Sequence, residues 1–332
     1  MDKDLSIPLL ESCLKVRADL FDERHENAFR LFSGFYEGYP DLILDVYART
    51  LVIHNYADPP EDGLPAVDSV RLFLRSNLPW LRTVILKTRN SPSPDERRGR
   101  IISGDTPDRK VREHGVWYAL DLTMNRDAGL YLDTRNLRKW ALDNLREKTV
   151  LNTFAYTGSL GVAAVGGGAK RVLHLDRNRV FLNVAKTSYT LNGFPIDKKD
   201  FISSDFFPAV ARLKRSGELF DCVLLDPPFY STTDKGTVDL ADSRRLINKA
   251  RPLVADGGWL VAVNNALFLS GREYMSMLEE LCADGYLRLE NLIPVPGDFT
   301  GYPATRVGEY LVDPAPFNHP TKIALLKVRR KA

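Results

Sequence analysis

The chain has 332 residues, 44% hydrophobic and 27% charged, with 46 Lys/Arg against 43 Asp/Glu and a formal net charge of +3. This is enough chain for one large domain or two ordinary ones, with the composition of a soluble globular protein. Charge this weak gives no argument for a nucleic-acid partner, and no apolar run reaches the roughly 18 residues a membrane span needs.

The opening "MDKDLSIPLLESCLK" lacks the charged leader and long apolar core of a secretory signal. Cys13, Cys222 and Cys282 are too scattered for a metal site or a disulfide framework. A soluble, cytoplasmic protein with no membrane association and no metal is expected.

Residues 1–20 carry Leu9, Leu10, Leu14 and Leu20 among charges and predict a helical segment. Residues 21–120 predict an α+β domain. Within it "LILDVYARTLVIHNY" makes two short strands joined near Ala48-Arg49, "VDSVRLFLRSNLPW" a helix and "RTVILKT" a strand. From Lys87 to Arg112 eight Lys/Arg face four Asp/Glu, a local net of +4. That Pro-rich stretch reads as a solvated loop or as an edge that contacts phosphates. The strand "GVWYALDLT" closes the domain.

From residue 121 the pattern changes to alternating strands and helices. "DTRNLRKWALDNLREK" is helical, "TVLNTFAY" a strand, and "GSLGVAAVGGG" a short helix ended by glycines. Then come the strand "KRVLHLD", a helix closed by Gly193, and the strand "FDCVLLD". "DSRRLINKARPLVADGG" is a helix, "WLVAVNN" a strand, "SGREYMSMLEELCADG" a helix and "TKIALLKVRR" a last strand. This alternation predicts an α/β fold, a doubly wound Rossmann-like parallel sheet over 121–332 behind the smaller N-terminal α+β domain.

In such a sheet ligands sit beyond the carboxyl ends of the strands. After the first strand, "NTFAYTGSLG" runs from Asn152 to Gly161 and fails the strict G-x-G-x-x-G pattern. Its helix amides still point outward beside Thr157 and Ser159; an ordinary βα turn explains Gly158 as well. Asp176 ends the second strand, 24 residues past Asn152. It stands near the offset at which a carboxylate accepts from ribose hydroxyls, and it also fits a helix cap. Asp205 can accept from an adenine amine while Phe206 covers the ring, or the two are a cap and a core aromatic. In "LLDPPFYS" the prolines stiffen the exit from a buried strand by fixing φ. Asp226 can accept from an amine there, Phe229 and Tyr230 offer a stacking surface, and Asn264 and Asn265 end the next strand as amides able to read a base edge. No phosphate-binding lysine follows the glycines, so a P-loop is excluded.

Taken in strand order, nucleoside loop, ribose acid, adenine acid and D-P-P-F loop describe a class I S-adenosylmethionine-dependent methyltransferase. The chain resembles the bacterial 23S ribosomal RNA large-subunit methyltransferases of the cytosine-C5/guanine-N7 type over nearly its whole length. The likeness rests on "NAFRLFSGFYEGYPDLILDVYARTLVIH", "DAGLYLDTRNLRKWA", "LNTFAYTGSLGVAAVGGGAKRVLHLD" and "DPPFYS". It implies S-adenosyl-L-methionine as cofactor and ribosomal RNA as partner. Asp133 and Arg135 would border the methionine end, Asn152, Tyr156 and Gly158 would wrap the cofactor, and Asp176 would take the ribose. Asp205 and Phe206 would hold the adenine; Asp226, Pro227, Pro228 and Phe229 would face the target.

Two departures narrow this. About twenty residues precede the α+β domain, where the C5 branch carries an RNA-binding PUA domain. C5 chemistry also needs a thiolate that attacks the base, and its place after the following strand holds Asn264-Asn265. The resulting expectation is methylation of a base nitrogen. A methyltransferase of a small molecule or protein side chain, and a non-catalytic RNA-binding factor, are the alternatives.

Overall fold

The computed structural model describes residues 7–228, 230–233, 236–239 and 243–330. Compactness divides it into two units: residues up to Leu132 with Pro296–Glu309, and Asp133–Val295 with the chain from Tyr310 onward. The sequence pattern changes near residue 120, a dozen residues earlier. The return of 296–309 to the first unit has no signal in chain order.

The first unit runs α1 (Ile7–Val16), β1 (Ala28–Ser33), α2 (Gly34–Glu37), β2 (Leu42–Tyr47), β3 (Thr50–Asn55), α3 (Leu64–Asn77), β4 (Thr83–Thr88), α4 (Pro94–Arg98) and β5 (Arg100–Ser103). A hairpin of β6 (Lys110–Glu113) and β7 (Val116–Ala119) follows. Strands β1 to β5 form one sheet in chain order, antiparallel except for β3–β4, which α3 connects as a crossover. Leu31, Leu44, Ile53 and Leu86 on one sheet face pack with Leu10 of α1 and Val67, Val70 and Leu74 of α3. Arg17 and Glu37, both fully buried, form a bidentate ion pair at 3.0 and 2.9 Å. The returning segment is tied in by Asp298, whose Oδ2 accepts from Arg30 N at 2.9 Å, and by main-chain bonds from Val307 and Gly308 to Tyr36 O.

The basic stretch 87–112 is not one loop; it contains α4 and the edge strand β5. The pair Ile101-Ile102 is too short to register as a strand until β4 supplies the partner. Several of its cations are occupied internally. Lys87 is buried with Nζ on the carbonyls of Arg98, Asn125 and Asp127, and Arg97 donates to Ser91 O and Pro92 O.

The second unit contains α5 (Arg135–Asn144), β8 (Thr149–Thr153), α6 (Ser159–Gly166), β9 (Arg171–Asp176), α7 (Arg179–Asn192), β10 (Phe201–Ser203), α8 (Phe206–Ser216) and β11 (Phe220–Leu225). It continues with the hairpin β12 (Tyr230–Thr233) and β13 (Gly236–Asp239), α9 (Ser243–Ala250), β14 (Val254–Asn264), α10 (Gly271–Cys282), β15 (Leu287–Leu292) and β16 (Lys322–Val328). Seven strands lie in the order β10-β9-β8-β11-β14-β16-β15. The first five are parallel; β16 is antiparallel to both its neighbours. The expected doubly wound parallel sheet is present with one strand reversed: β16 enters from the opposite end and inserts between β14 and β15, so its connection from β15 needs no right-handed crossover.

The predicted helix over 242–258 stops early. It is α9 plus a single 3-10 turn at Arg251–Leu253, broken by Pro252, and β14 already starts at Val254. Both sheet faces are covered. Leu137 and Ala141 of α5 with Leu160 and Ala164 of α6 pack on Val150, Leu224 and Val261. Helices α8, α9 and α10 pack Val210, Ile247 and Leu278 on Leu151, Val223 and Leu260. Burial on both sides explains why these strands read as continuous apolar runs. Strand order reverses between β8 and β11, which places the crevice of a doubly wound sheet at their carboxyl ends.

Gly161 lets α6 lie directly on β9. A Cβ there would sit 2.4 Å from His174 Cε1 and 2.8 Å from Val172 Cγ1. Gly161→Ala should destabilise the fold by about 1–3 kcal/mol through overpacking, measured as a lower urea midpoint with unchanged slope.

Candidate active site

The loop from β8 to α6 is strained and latched. Phe154 and Tyr156 both hold left-handed φ, 52° and 51°, which side chains rarely adopt. Gly158, at φ 77°, caps α6 where a Cβ would come within 2.5 Å of Ala185 Cβ. Asp176, at the end of β9, holds this loop: Oδ2 accepts from Tyr156 N and Oδ1 from Asn178 N, both at 2.8 Å. Each oxygen keeps a second acceptor position. Burial raises the Asp176 pKa despite these bonds. The cap of α7 is Asn178, which accepts from Val180 N, so Asp176 is not the helix cap.

Asn152 is buried, its Nδ2 3.3 Å from His174 Nδ1, and His174 Nε2 is 2.9 Å from Tyr189 Oη. Burial pushes the imidazole down to about 3, so it is neutral. The Asn152 side chain therefore braces β8 against β9 from inside. Asp205 occupies the cap position of α8 but makes no capping side-chain bond and is exposed. Phe206 is buried and stacks on the half-buried Phe154, centroids 4.9 Å apart at 19°. Of this pair Phe154 is the ring nearer the surface, a residue the sequence reading passed over.

At the next strand end Asp226 is half-buried, Pro227 buried and Pro228 exposed. Burial first, then the like charge of Asp133, against a hydrogen bond from Asn265, pushes the Asp226 carboxyl up to about 7. Asp133 lies in the 3-10 turn Leu132–Thr134 ahead of α5, and its Oδ2 accepts from Thr321 Oγ1 at 2.8 Å. Arg135 opens α5, half-buried. Asn265 Oδ1 is buried with no hydrogen-bond partner among the described residues. Asn264 faces inward instead: Nδ2 donates to Ser243 Oγ at 3.0 Å, and Oδ1 accepts from Ala266 N at 3.1 Å. Lys322, fully buried, donates to Ala266 O at 3.0 Å and Pro320 O at 2.6 Å, and burial lowers it to about 8. Thr321 and Lys322 thus fix the surroundings of Asp226 and Asn265. Phe229 lies outside the described residues; Tyr230 opens β12.

These strand ends carry, side by side, a strained glycine-capped loop, a carboxylate with spare acceptor positions, an exposed uncapped Asp205 and a carboxyl poised near neutrality. They gather hydrogen-bond acceptors and a left-handed loop at the crevice of the doubly wound sheet, where ligands of such folds bind. The chain belongs to the S-adenosylmethionine-dependent methyltransferase family, whose pattern matches residues 30–292. It is 28% identical over 292 residues to ribosomal RNA large subunit methyltransferase I of Vibrio cholerae serotype O1, covering 86% of this chain and 72% of that protein. The same enzyme of Aeromonas salmonicida is 29% identical over 290 residues, with the same coverage. Among solved structures, SMU.776 in complex with SAH superposes at a TM-score of 0.82 with 20% identity, covering 98% of this chain and 83% of that one. The SAM-dependent methyltransferase from Agrobacterium tumefaciens gives 0.61 with 18% identity, covering 88% of each. Among the described residues no helix is long and apolar enough to cross a membrane.

Proposed function

We propose that the chain methylates a base nitrogen of ribosomal RNA, using S-adenosyl-L-methionine. The observation that carries the site assignment is the placement of the Asp226 carboxyl at the exit of β11, hydrogen-bonded to Asn265 and beside the like charge of Asp133. The relatives named as ribosomal RNA methyltransferases support the substrate.

Asp176 would accept from the ribose hydroxyls and Asp205 from the adenine amine, with Phe154 and Phe206 beside the ring. Tyr156 and Gly158 would follow the cofactor with main chain, and Asp133 and Arg135 would border its methionine end. Bound there, S-adenosylmethionine supplies a methyl group already activated on a sulfonium, so the protein's task is alignment and exclusion of water. Pro227 and Pro228 hold the target wall rigid. Asp226 orients the target nitrogen and, where that nitrogen carries a proton, accepts it after transfer. Asn265 holds the Asp226 carboxylate by its amide. The target base must leave its stack to enter.

Attack at a ring carbon is disfavoured by the thiols. Cys222 lies in the core of β11, where burial raises its thiol well above the usual range, and Cys282 on α10 is also raised by burial. A ring-carbon mechanism needs a thiolate at the target. The test is incubation with labelled S-adenosylmethionine and deproteinised ribosomal RNA, and separately with cell metabolites, followed by nucleoside analysis. Label in a methylated ring or exocyclic nitrogen is expected; label only in the metabolite fraction would overturn the RNA assignment.

A further inference from the structure

The end of the second unit's sheet opposite the strand carboxyl termini carries a cavity of about 440 Å³. It is lined by Arg251, Pro252, Asp284, Tyr286, Arg329 and Arg330. Three separate elements bring these together: the 3-10 turn before β14, the turn between α10 and β15, and the end of β16. Arg330 is anchored by main-chain carbonyls, with Nη1 donating to Pro252 O at 2.9 Å and Val254 O at 3.1 Å. Carbonyls orient the guanidinium without cancelling its charge. Arg251 shares Asp284 at 3.1 Å, a part-exposed pair. Arg329 is exposed, fixed by its main-chain bond to Tyr286 O, and its side chain makes no hydrogen bond or ion pair among the described residues. Asp256 stands outside the lining and accepts from Arg330 N. Among the described lining residues, three guanidiniums thus meet one carboxylate in a concavity.

We infer that this groove binds a backbone phosphate of the RNA substrate, as a contact separate from the methyl-transfer site. Guanidinium groups present planar, paired donors that match phosphate oxygens, and a concave wall concentrates their field. Strand β14 runs from this end to the site: eleven residues from Val254 to Asn264, roughly 30 Å at strand rise. An RNA can span that distance and touch both ends, whereas a free nucleotide cannot. The inference rests on the RNA reading of the active site. It contrasts with the basic stretch of the first unit, where Lys87 is fully buried with its ammonium on three main-chain carbonyls.

The test measures RNA binding against salt for the wild type, Arg329→Ala and Arg251→Ala, alongside methyl transfer to the same RNA. Each variant is expected to weaken binding several-fold. Each should also lower the slope of log affinity against log salt by about one, with kcat and S-adenosylmethionine affinity unchanged. Arg329→Ala touches no internal bond of its side chain, so its fold is secure, and Arg329→Lys should restore part of the slope. Wild-type slope in both alanine variants, with RNA methylation intact, would overturn the groove alone. Titration with inorganic phosphate and with adenosine monophosphate separates the sources. Millimolar binding of either, lost in Arg329→Ala while the RNA slope stays unchanged, would assign a small-anion site and overturn the RNA contact. A wild type that neither binds nor methylates RNA would overturn this inference and the proposed function together.

Discussion

Replacing Asp226 by asparagine should abolish methyl transfer and, at the same time, stabilise the ligand-free protein above neutral pH. Loss of a positioned proton acceptor costs on the order of 10²–10⁴ in rate, read as kcat with labelled cofactor. The stability effect follows from linkage. The folded pKa lies at about 7 against the ordinary 3.8, so the folded state binds a proton that the unfolded chain releases. Its contribution is fully present below pH 4 and is lost as pH rises through 7. Above that, the folded protein carries a half-buried carboxylate beside the like charge of Asp133, a cost of up to roughly 4 kcal/mol at 1.36 kcal/mol per pKa unit. The neutral amide of Asp226→Asn avoids the cost, so the Tm of this variant should exceed that of the wild type at pH 8 and approach it near pH 4. Equal Tm differences at both values would refute a strained carboxylate.

The same residue, in the proposed role, should set a pH profile. Asp226 accepts only when ionised, so kcat/KM should fall as pH drops below about 7. Asp133→Asn removes the second contributor to the shift and should move that limb to lower pH; an unmoved limb would leave Asp133 no part in tuning the site.

Asp176→Ala carries the second large effect. Its carboxylate has two spare acceptor positions, which the proposed role gives to ribose hydroxyls, while latching Tyr156 in a left-handed conformation. Hydrogen bonds to a charged acceptor contribute about 1.5–3 kcal/mol each. Loss of two, with a loosened loop, should weaken cofactor affinity by roughly 100-fold or more in calorimetry. Asp176→Asn keeps one acceptor for Tyr156 N and should fall between the two. Unchanged affinity in Asp176→Ala would reject the ribose role.

Much of this site is legible in the sequence because each part lies at the end of its own strand. An apolar run that stops at Asp176, or at Asp226 followed by two prolines, marks both the element and the position of its acid. The supports of these residues are not legible that way. Asp133 bonds Thr321, 188 positions distant, and Lys322 holds the loop after β14 from the neighbouring antiparallel strand. Phe154 is marked only by a backbone angle.

Alternating apolar strands and helices, short polar connections and acids at the strand ends determined a doubly wound sheet, its nucleoside crevice and the stiff Asp-Pro-Pro exit, since these depend on local periodicity and on φ. The tertiary structure decided which of two identical neighbours meets the Asp226 carboxyl. Successive side chains of an extended chain point to opposite sides, so Asn264 turns inward to Ser243 while Asn265 reaches Asp226. It also raised the pKa of Asp226 and brought Arg251, Arg329 and Arg330 into one groove. Burial and long-range charge depend on residues that chain order keeps far apart.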